Sequence, residues 1–141
     1  MYSTNLKDNK YSVICFAVTE RVRIVDFIVD TGAMFTCCNY ISFDNQLCEK
    51  NLINNEVKLL GGFVKDLPVK FYRHRLKQFT IGNIDMGEQD IWVTFDDRVT
   101  DTVLGMDVLQ QVIFIANPYN KKIYFCKDRE DYYSNFDLIV V

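Results

Sequence analysis

Short apolar runs separated by turn-forming residues are the dominant feature of this 141-residue sequence. The runs are rich in β-branched and aromatic residues, which favour strands, and the Gly, Asn and Pro residues between them favour turns. Periodicity that predicts helices is scarce. The pattern therefore predicts an all-β barrel or sandwich with one or two small helices. The predicted strands span residues 11–18, 23–29, 34–39, 57–60, 69–81, 84–86, 89–95, 112–117 and 121–126.

Two segments are predicted to be helical. Ser42 is a candidate N-cap for a helix that runs to about residue 52, before Asn54 and Asn55 break it. A shorter amphipathic helix is predicted over residues 106–111. The remaining connections are turns at residues 19–21, 82–83 and 118–120, and a polar loop over residues 96–102.

Length and composition favour one globular domain over residues 1–141. Nearly half of the residues are apolar and 14% are aromatic, which excludes an intrinsically disordered chain. The net charge of −3 provides no general attraction to nucleic acid or to an anionic membrane. The sequence has no apolar signal segment at its start and no apolar stretch long enough to span a bilayer, so we expect a cytoplasmic protein.

The cysteines argue against both a disulfide framework and a metal site. There are five of them, an odd number, and no two form a CxxC pair, which favours free thiols in a reducing compartment. Adjacent Cys37 and Cys38 are expected to point to opposite faces of a strand, and His74 is the only histidine. We therefore expect neither a bound metal nor an organic cofactor.

Residues 27–33, FIVDTGA, place a carboxylate at the end of an apolar run. An isolated buried charge is very costly, so Asp30 must be paired, hydrogen-bonded or protonated if the fold buries it. Gly32 allows the backbone to turn tightly or to approach another chain closely. Asp30 is therefore either the cap of a local Asx turn or a functional group held at the edge of the core.

A second stretch, TDTVLGMDVLQQV at residues 100–112, extends this pattern. An apolar strand that ends in Asp-Thr-Gly-Ala, followed about 70 residues later by two apolar residues, Gly and a short helix, resembles the retropepsin-like aspartic proteases. The resemblance covers roughly residues 11–126, which leaves residues 127–141 as a C-terminal extension. Met106 stands where viral members carry Arg, so the chain is more similar to cellular and bacterial members.

The resemblance implies a closed β-barrel that acts as a symmetric homodimer and cleaves peptide bonds without a cofactor. Hydrolysis by an activated water needs one carboxylate as base and another as acid, and two adjacent carboxyls share a proton. Asp30 belongs to the single DTG, because Asp101-Thr102-Val103 ends in valine. One chain therefore carries half of a catalytic site, and a two-fold axis would bring two copies of Asp30 together.

Further residues take roles from the same resemblance. Thr31 would hold the two active-site loops together across the dimer, and the Gly32 amide would orient the carboxylate. Ala33 replaces a residue whose hydroxyl hydrogen-bonds the aspartate in pepsin-like enzymes, which predicts a working pH nearer neutral. Leu104 and Gly105 would support the loop from beneath.

Residues 57–81 are predicted to form the flap, a β-hairpin that folds over the substrate, with Gly61 and Gly62 at or near its tip. An ordinary Gly-Gly hairpin turn is the alternative for these two glycines. Apolar side chains beside the loop and flap would line the substrate subsites, which predicts bulky apolar residues on both sides of the scissile bond. The candidates are Ile28, Phe63, Val64 and Ile84.

Two other segments carry weaker expectations. The basic run KFYRHRLK at residues 70–77 is interpreted as a solvated strand rather than a nucleic-acid surface. The apolar end at residues 138–141 is a candidate intersubunit strand. The expected partners are a second copy of the chain and a peptide or protein substrate, with neither nucleic acid nor membrane. A non-catalytic dimerisation or peptide-binding module with the same fold is the alternative function.

Overall fold

The computed structural model describes residues 1–8, 10–18, 22–43 and 52–141. The described chain is mostly β-structure, with a few short helices. Its strands are β1 Tyr2–Lys7, β2 Lys10–Val18, β3 Val22–Val29, β4 Cys37–Asn39, β5 Leu52–Val64, β6 Leu67–Leu76, β7 Gln78–Ile81, β8 Ile84–Asp85, β9 Gln89–Thr94, β10 Val103–Leu104, β11 Ile113–Asn117 and β12 Lys122–Cys126. Its helices are α1 Met106–Leu109, α2 Arg129–Ser134 and α3 Phe136–Ile139, together with a 3-10 turn at Tyr40–Phe43.

The strands form one sheet in the order β11-β12-β1-β2-β3-β10-β4-β9-β6-β5, and β7 joins it by pairing with both β2 and β8. The predicted hairpin of β2 and β3 is confirmed, with Val18 opposite Val22. Among the described strands the pairing starts at β11, ends at β5 and does not close into a ring, so the expected closed barrel is not observed. The sheet branches at β2 instead, because its first residues pair with β1 and its last residues with β7.

Two apolar clusters lie on the two sides of β4, β6 and β9. The larger cluster includes Phe27, Phe79 and Leu104, all fully buried. Cys38 belongs to this cluster, whereas Cys37 packs in the smaller one. Successive strand residues point to opposite faces, so the expectation for these two cysteines is confirmed. The smaller cluster contains Cys37, Val69, Phe71, Trp92 and Val99.

The described residues cover only the two ends of the helix expected from Ser42 to residue 52. Neither end is α-helical. Residues 40–43 form the 3-10 turn, residues 44–51 lie outside the described residues, and β5 begins at Leu52. Asn54 and Asn55 therefore lie within a strand, in a section where the register with β6 shifts. Pairing with β6 outweighs the local preference of asparagine for turns.

The N-terminal strand β1 was not predicted, and the long strand expected over residues 69–81 is divided. β6 ends at Leu76 and β7 begins at Gln78, and the two strands pair with different partners. β1 pairs with both β12 and β2, although its sequence, YSTNLK, contains few apolar residues. Neighbouring strands therefore supply the stability that this sequence pattern does not indicate.

The C-terminal extension is helical, so the expectation of an intersubunit strand over residues 138–141 is wrong for the chain as described. Asp128 caps α2 by accepting a hydrogen bond from the backbone N–H of Asp131. Ile139 of α3 is buried with Tyr124 and Cys126. Ile139 thus packs as part of a helix instead of a strand, and the described residues contain three short α-helices.

Candidate active site

Asp30 directly follows β3 and enters a tight turn. Its backbone N–H donates to the carbonyl of Leu104 (3.1 Å), and its own carbonyl accepts from the N–H of Ala33 (3.2 Å). The Gly32 N–H donates to Oδ1 of the Asp30 carboxylate at 2.9 Å. The side chain is exposed in the single chain. The loop therefore presents a carboxylate at its surface with one oxygen oriented by a backbone amide.

The second motif lies directly beside this loop. β10 runs parallel to β3, with Val103 opposite Ile28 and Leu104 opposite Val29. After β10, the N–H of Met106 donates to the carbonyl of Ala33 at 2.8 Å. Two stretches that are distant in sequence are therefore joined through their backbones, as the sequence resemblance implies.

Gly105 lies where a side chain has no room. A Cβ atom at this position would lie 2.5 Å from both the carbonyl carbon and the carbonyl oxygen of Phe35. Since real Cβ atoms do not approach backbone atoms so closely, glycine is required for the two motifs to pack. This contact gives a physical reason for the glycine that the resemblance assigned to loop support.

Thr36 and Asp107 form a polar connection that the sequence interpretation missed. The fully buried Thr36 hydroxyl donates to Asp107 Oδ1 (2.7 Å) and accepts from the Gly105 N–H (3.0 Å). The Thr36 N–H donates to Asp107 Oδ2 (3.1 Å). A carboxylate that accepts several hydrogen bonds holds its donors firmly in place. The only sequence signal was an acidic residue in the first turn of the predicted helix, which is common at helix N-termini.

A cleft of about 360 Å³ lies in front of Asp30. The predicted site residues Gly32, Ala33, Gly61, Gly62 and Phe63 all line it. The sequence interpretation missed several other lining residues, which are Met34, Phe35, Cys37, Leu60, Asp101 and Val103.

Of the residues predicted for the active-site loop, the flap and the subsites, four lie outside the lining of this cleft, as far as the described chain shows. They are Thr31, Ile28, Val64 and Ile84. Ile84 is 5% exposed and belongs to the main core, so its assignment to a subsite is corrected. Its short strand β8 pairs with β7, away from the loop of Asp30. Val64 packs against the smaller core cluster.

β5 and β6 form the expected hairpin, but its turn lies further along the chain than predicted. Val64 pairs with Leu67, which places Lys65 and Asp66 at the tip. Asp66 adopts a positive φ of 60°, as turn residues often do. Gly61 and Gly62 lie inside β5, where the register with β6 is irregular and Gly62 has a φ of 91°. The glycines thus mark a distorted strand section beside the cleft instead of the tip.

Two arginines of the basic run on β6 are paired with neighbouring acids. Arg73 contacts both Glu56 (2.7 Å) and Asp90, and Arg75 donates to Asp90 at 3.1 Å. Partial burial would raise the pKa of Asp90, but hydrogen bonds from Arg75 and Arg73 outweigh it and lower this pKa. These arginines are therefore engaged within the sheet, in agreement with the interpretation of a solvated strand.

The thiol and metal chemistry of the described chain is limited. Burial, followed by the nearby charge of Asp107, raises the pKa of the Cys37 thiol to about 12, which makes it a poor nucleophile although it borders the cleft. The described residues contain no group of three or more His, Cys, Asp or Glu side chains that could hold a metal ion. In the same residues no helix is long and apolar enough to cross a membrane.

Comparison with known proteins identifies the architecture. No protein-family model and no curated protein matches the sequence. Among solved structures, the chain is similar to a retropepsin-like aspartic protease from Rickettsia conorii, with a TM-score of 0.61 and 15% identity over 88% of each chain. It is also similar to the EIAV protease in complex with the inhibitor HBY-793, with a TM-score of 0.52 and 14% identity over 76% of this chain and 91% of the other. The chain therefore has the fold of the retropepsin-like aspartic proteases.

Proposed function

We propose that the protein is a homodimeric aspartic endopeptidase in which each subunit contributes Asp30 to one catalytic pair. The observation that carries the proposal is the Asp30 loop itself. The carboxylate is exposed beside a cleft, one of its oxygens accepts from the Gly32 amide, and the loop is fixed by the backbone of the second motif. This arrangement supplies a rigid carboxylate at a surface that a peptide can reach.

The chemistry requires a second carboxylate close to the first. Two facing carboxyl groups share one proton, so one accepts a proton from water while the other donates one to the substrate carbonyl oxygen. The attacked carbon becomes tetrahedral, and transfer of a proton to the leaving amine then completes cleavage. Such a coupled pair gives a bell-shaped dependence of rate on pH.

A two-fold axis beside the loop supplies the second carboxylate from an identical chain. Thr31, which directly follows Asp30, is proposed to bind the partner loop, consistent with its exposed position in the single chain. The β5–β6 hairpin is proposed to act as the flap. Its irregular section at Gly61 and Gly62 borders the cleft, and backbone amides of this section are proposed to bind an extended peptide.

The test is cleavage of a diverse peptide library by the wild-type chain and by Asp30→Asn. We expect the wild-type protein to cleave internal peptide bonds, and Asn, which keeps the shape but cannot exchange the proton, to abolish cleavage. A statine-type mimic of the tetrahedral intermediate should inhibit, because it places a hydroxyl between the two aspartates.

A chelator serves as the control and should leave the activity unchanged. Full activity of Asp30→Asn would overturn the proposal. Peptide binding without any cleavage by a folded wild-type dimer would favour the non-catalytic peptide-binding module.

A further inference from the structure

Asp101 is a second carboxylate at the same cleft. It lies in the loop that connects β9 to β10, two residues before Val103, and it lines the cleft together with Asp30. Its side chain is exposed in the single chain. Unlike Asp30, Asp101 accepts no hydrogen bond from a backbone amide within the described residues. Asp101 is therefore an exposed acidic residue in the lining of the cleft, beside the space that the bound peptide would occupy.

No cation of the described chain neutralises Asp101. The nearest basic residue in sequence is Arg98, whose guanidinium is held by Asp96 through Nε–Oδ1 (2.9 Å) and Nη2–Oδ2 (2.6 Å) contacts. The same contacts lower the pKa of Asp96 to about 2. No lysine or arginine is among the described residues that line the cleft. The described lining residues of the cleft thus carry negative charge alone, although the ammonium group of Lys58 lies over the ring of the lining residue Phe35, 4.8 Å from its centroid.

The surfaces beside Asp101 are apolar. Val103, Leu60 and Phe63 contribute aliphatic and aromatic surface to the same cleft. Lysine and arginine combine an aliphatic stem with a cationic head, so they can pack the stem on an apolar wall while the head reaches a carboxylate. Such a side chain matches the combination of surfaces that the cleft presents.

We propose that Asp101 is a specificity-determining residue that selects a lysine or arginine side chain of the bound peptide close to the scissile bond. This inference rests on the proposed function, because it assumes that a peptide occupies the cleft beside Asp30. The sequence predicted bulky apolar residues beside the scissile bond. A lysine or arginine side chain keeps an apolar stem of this kind but differs by the positive charge at its end.

The experiment measures binding and cleavage separately. Two peptides share one library sequence that binds Asp30→Asn and differ at a single central position, with lysine in one and norleucine, which has a similar stem without the ammonium, in the other. Binding is measured on Asp30→Asn, which keeps the cleft but cannot turn over, with and without Asp101→Asn. When Asp101 is present, we expect the lysine peptide to bind about fivefold more tightly than the norleucine peptide. With Asp101→Asn the ratio of the two affinities should approach one.

Asp97→Asn is the matched control, because Asp97 is an exposed acid of the same loop that does not line the cleft. This variant should leave the ratio of the affinities for the lysine and norleucine peptides unchanged. Added salt should reduce this ratio for the protein that retains Asp97 and Asp101. Equal binding of both peptides to Asp30→Asn, or an equal loss of preference with Asp97→Asn, would overturn the assignment of Asp101.

The two proposals can fail independently. Cleavage by the wild-type chain without a preference for lysine removes the role of Asp101 and leaves the protease intact. A lysine preference in binding without any wild-type cleavage supports Asp101 and removes the protease. If Asp101→Asn abolishes cleavage of the norleucine peptide as well, Asp101 takes part in the reaction and the specificity role is wrong.

Discussion

At the residue scale, the site depends on two positions whose chemistry cannot be exchanged. Thr36 has no exposed surface, and its hydroxyl both donates to Asp107 and accepts from Gly105. Gly105 in turn approaches the Phe35 backbone too closely for any side chain. Both contacts fix the loop that carries Asp30, so the position of the carboxylate is set by residues outside the DTG itself.

We predict that Gly105→Ala lowers the free energy of unfolding by about 1–3 kcal/mol, because the new methyl group must displace the Phe35 backbone. The activity per folded chain should fall too, since that displacement moves the active-site loop. Gly61→Ala is the matched control, because no atom of the described residues, apart from Gly61 and its two chain neighbours, lies within 4 Å of a Cβ at that position. Denaturant unfolding of both variants provides the measurement, and equal stabilities would contradict the packing argument.

At the element scale, the loop between β9 and β10 is organised by the ion pair of Asp96 and Arg98. Hydrogen bonds from Arg98 lower the pKa of Asp96 from its ordinary value of 3.8 to about 2 in the folded chain. A carboxyl group with a lowered folded-state pKa stabilises the fold above its unfolded-state pKa and loses this contribution as the pH falls through the folded-state value.

Asp96→Asn should therefore be less stable than the wild-type protein at pH 7. The difference in stability should shrink as the pH falls from about 4 to about 2, where Asp96 itself becomes protonated. Thermal unfolding of both proteins across this range is the measurement. A difference that stays constant down to pH 2 would show that the ion pair does not lower this pKa.

The elements also show which sequence signals were sufficient. The β2–β3 hairpin followed from two apolar runs joined by a polar turn. The placement of Val103 and Leu104 beside Asp30 followed from the resemblance to the retropepsin-like aspartic proteases. The turn of the β5–β6 hairpin lies further along the chain than expected, because Gly61 and Gly62, expected at or near its tip, form an irregular section of β5. Local glycine content indicates where a strand is distorted, but cross-strand pairing decides where it ends.

At the scale of the whole molecule, the fold class could be predicted and the tertiary contacts could not. Thr36 reaches Asp107 across 71 positions of sequence, and no local pattern indicates such a contact. The apolar C-terminal residues were expected to form an intersubunit strand because the resemblance implies termini that pair across a dimer, yet Ile139 belongs to a helix and is buried with Tyr124 and Cys126. The subsite assignment of Ile84 was wrong for the same reason, since burial in the core is a property of the assembled sheet.

The proposed mechanism differs from that of a single-chain enzyme mainly because it requires the assembly of two chains. A monomer presents Asp30 once, at an exposed position, while the reaction needs two facing carboxylates. Activity per chain should therefore depend on the fraction of chains that are paired, which falls with dilution.

The most direct measurement is the activity of wild-type chains mixed with increasing amounts of Asp30→Asn, after exchange of subunits at a concentration that keeps the chains paired. In an equal mixture at constant total chain concentration, about a quarter of the dimers carry two Asp30 carboxylates, so about a quarter of the activity should remain. Wild-type protein diluted with buffer to the same wild-type concentration is the control and should retain about half. A mixture that also retains half would mean that each active site uses the Asp30 of one chain alone, and would contradict the shared catalytic pair.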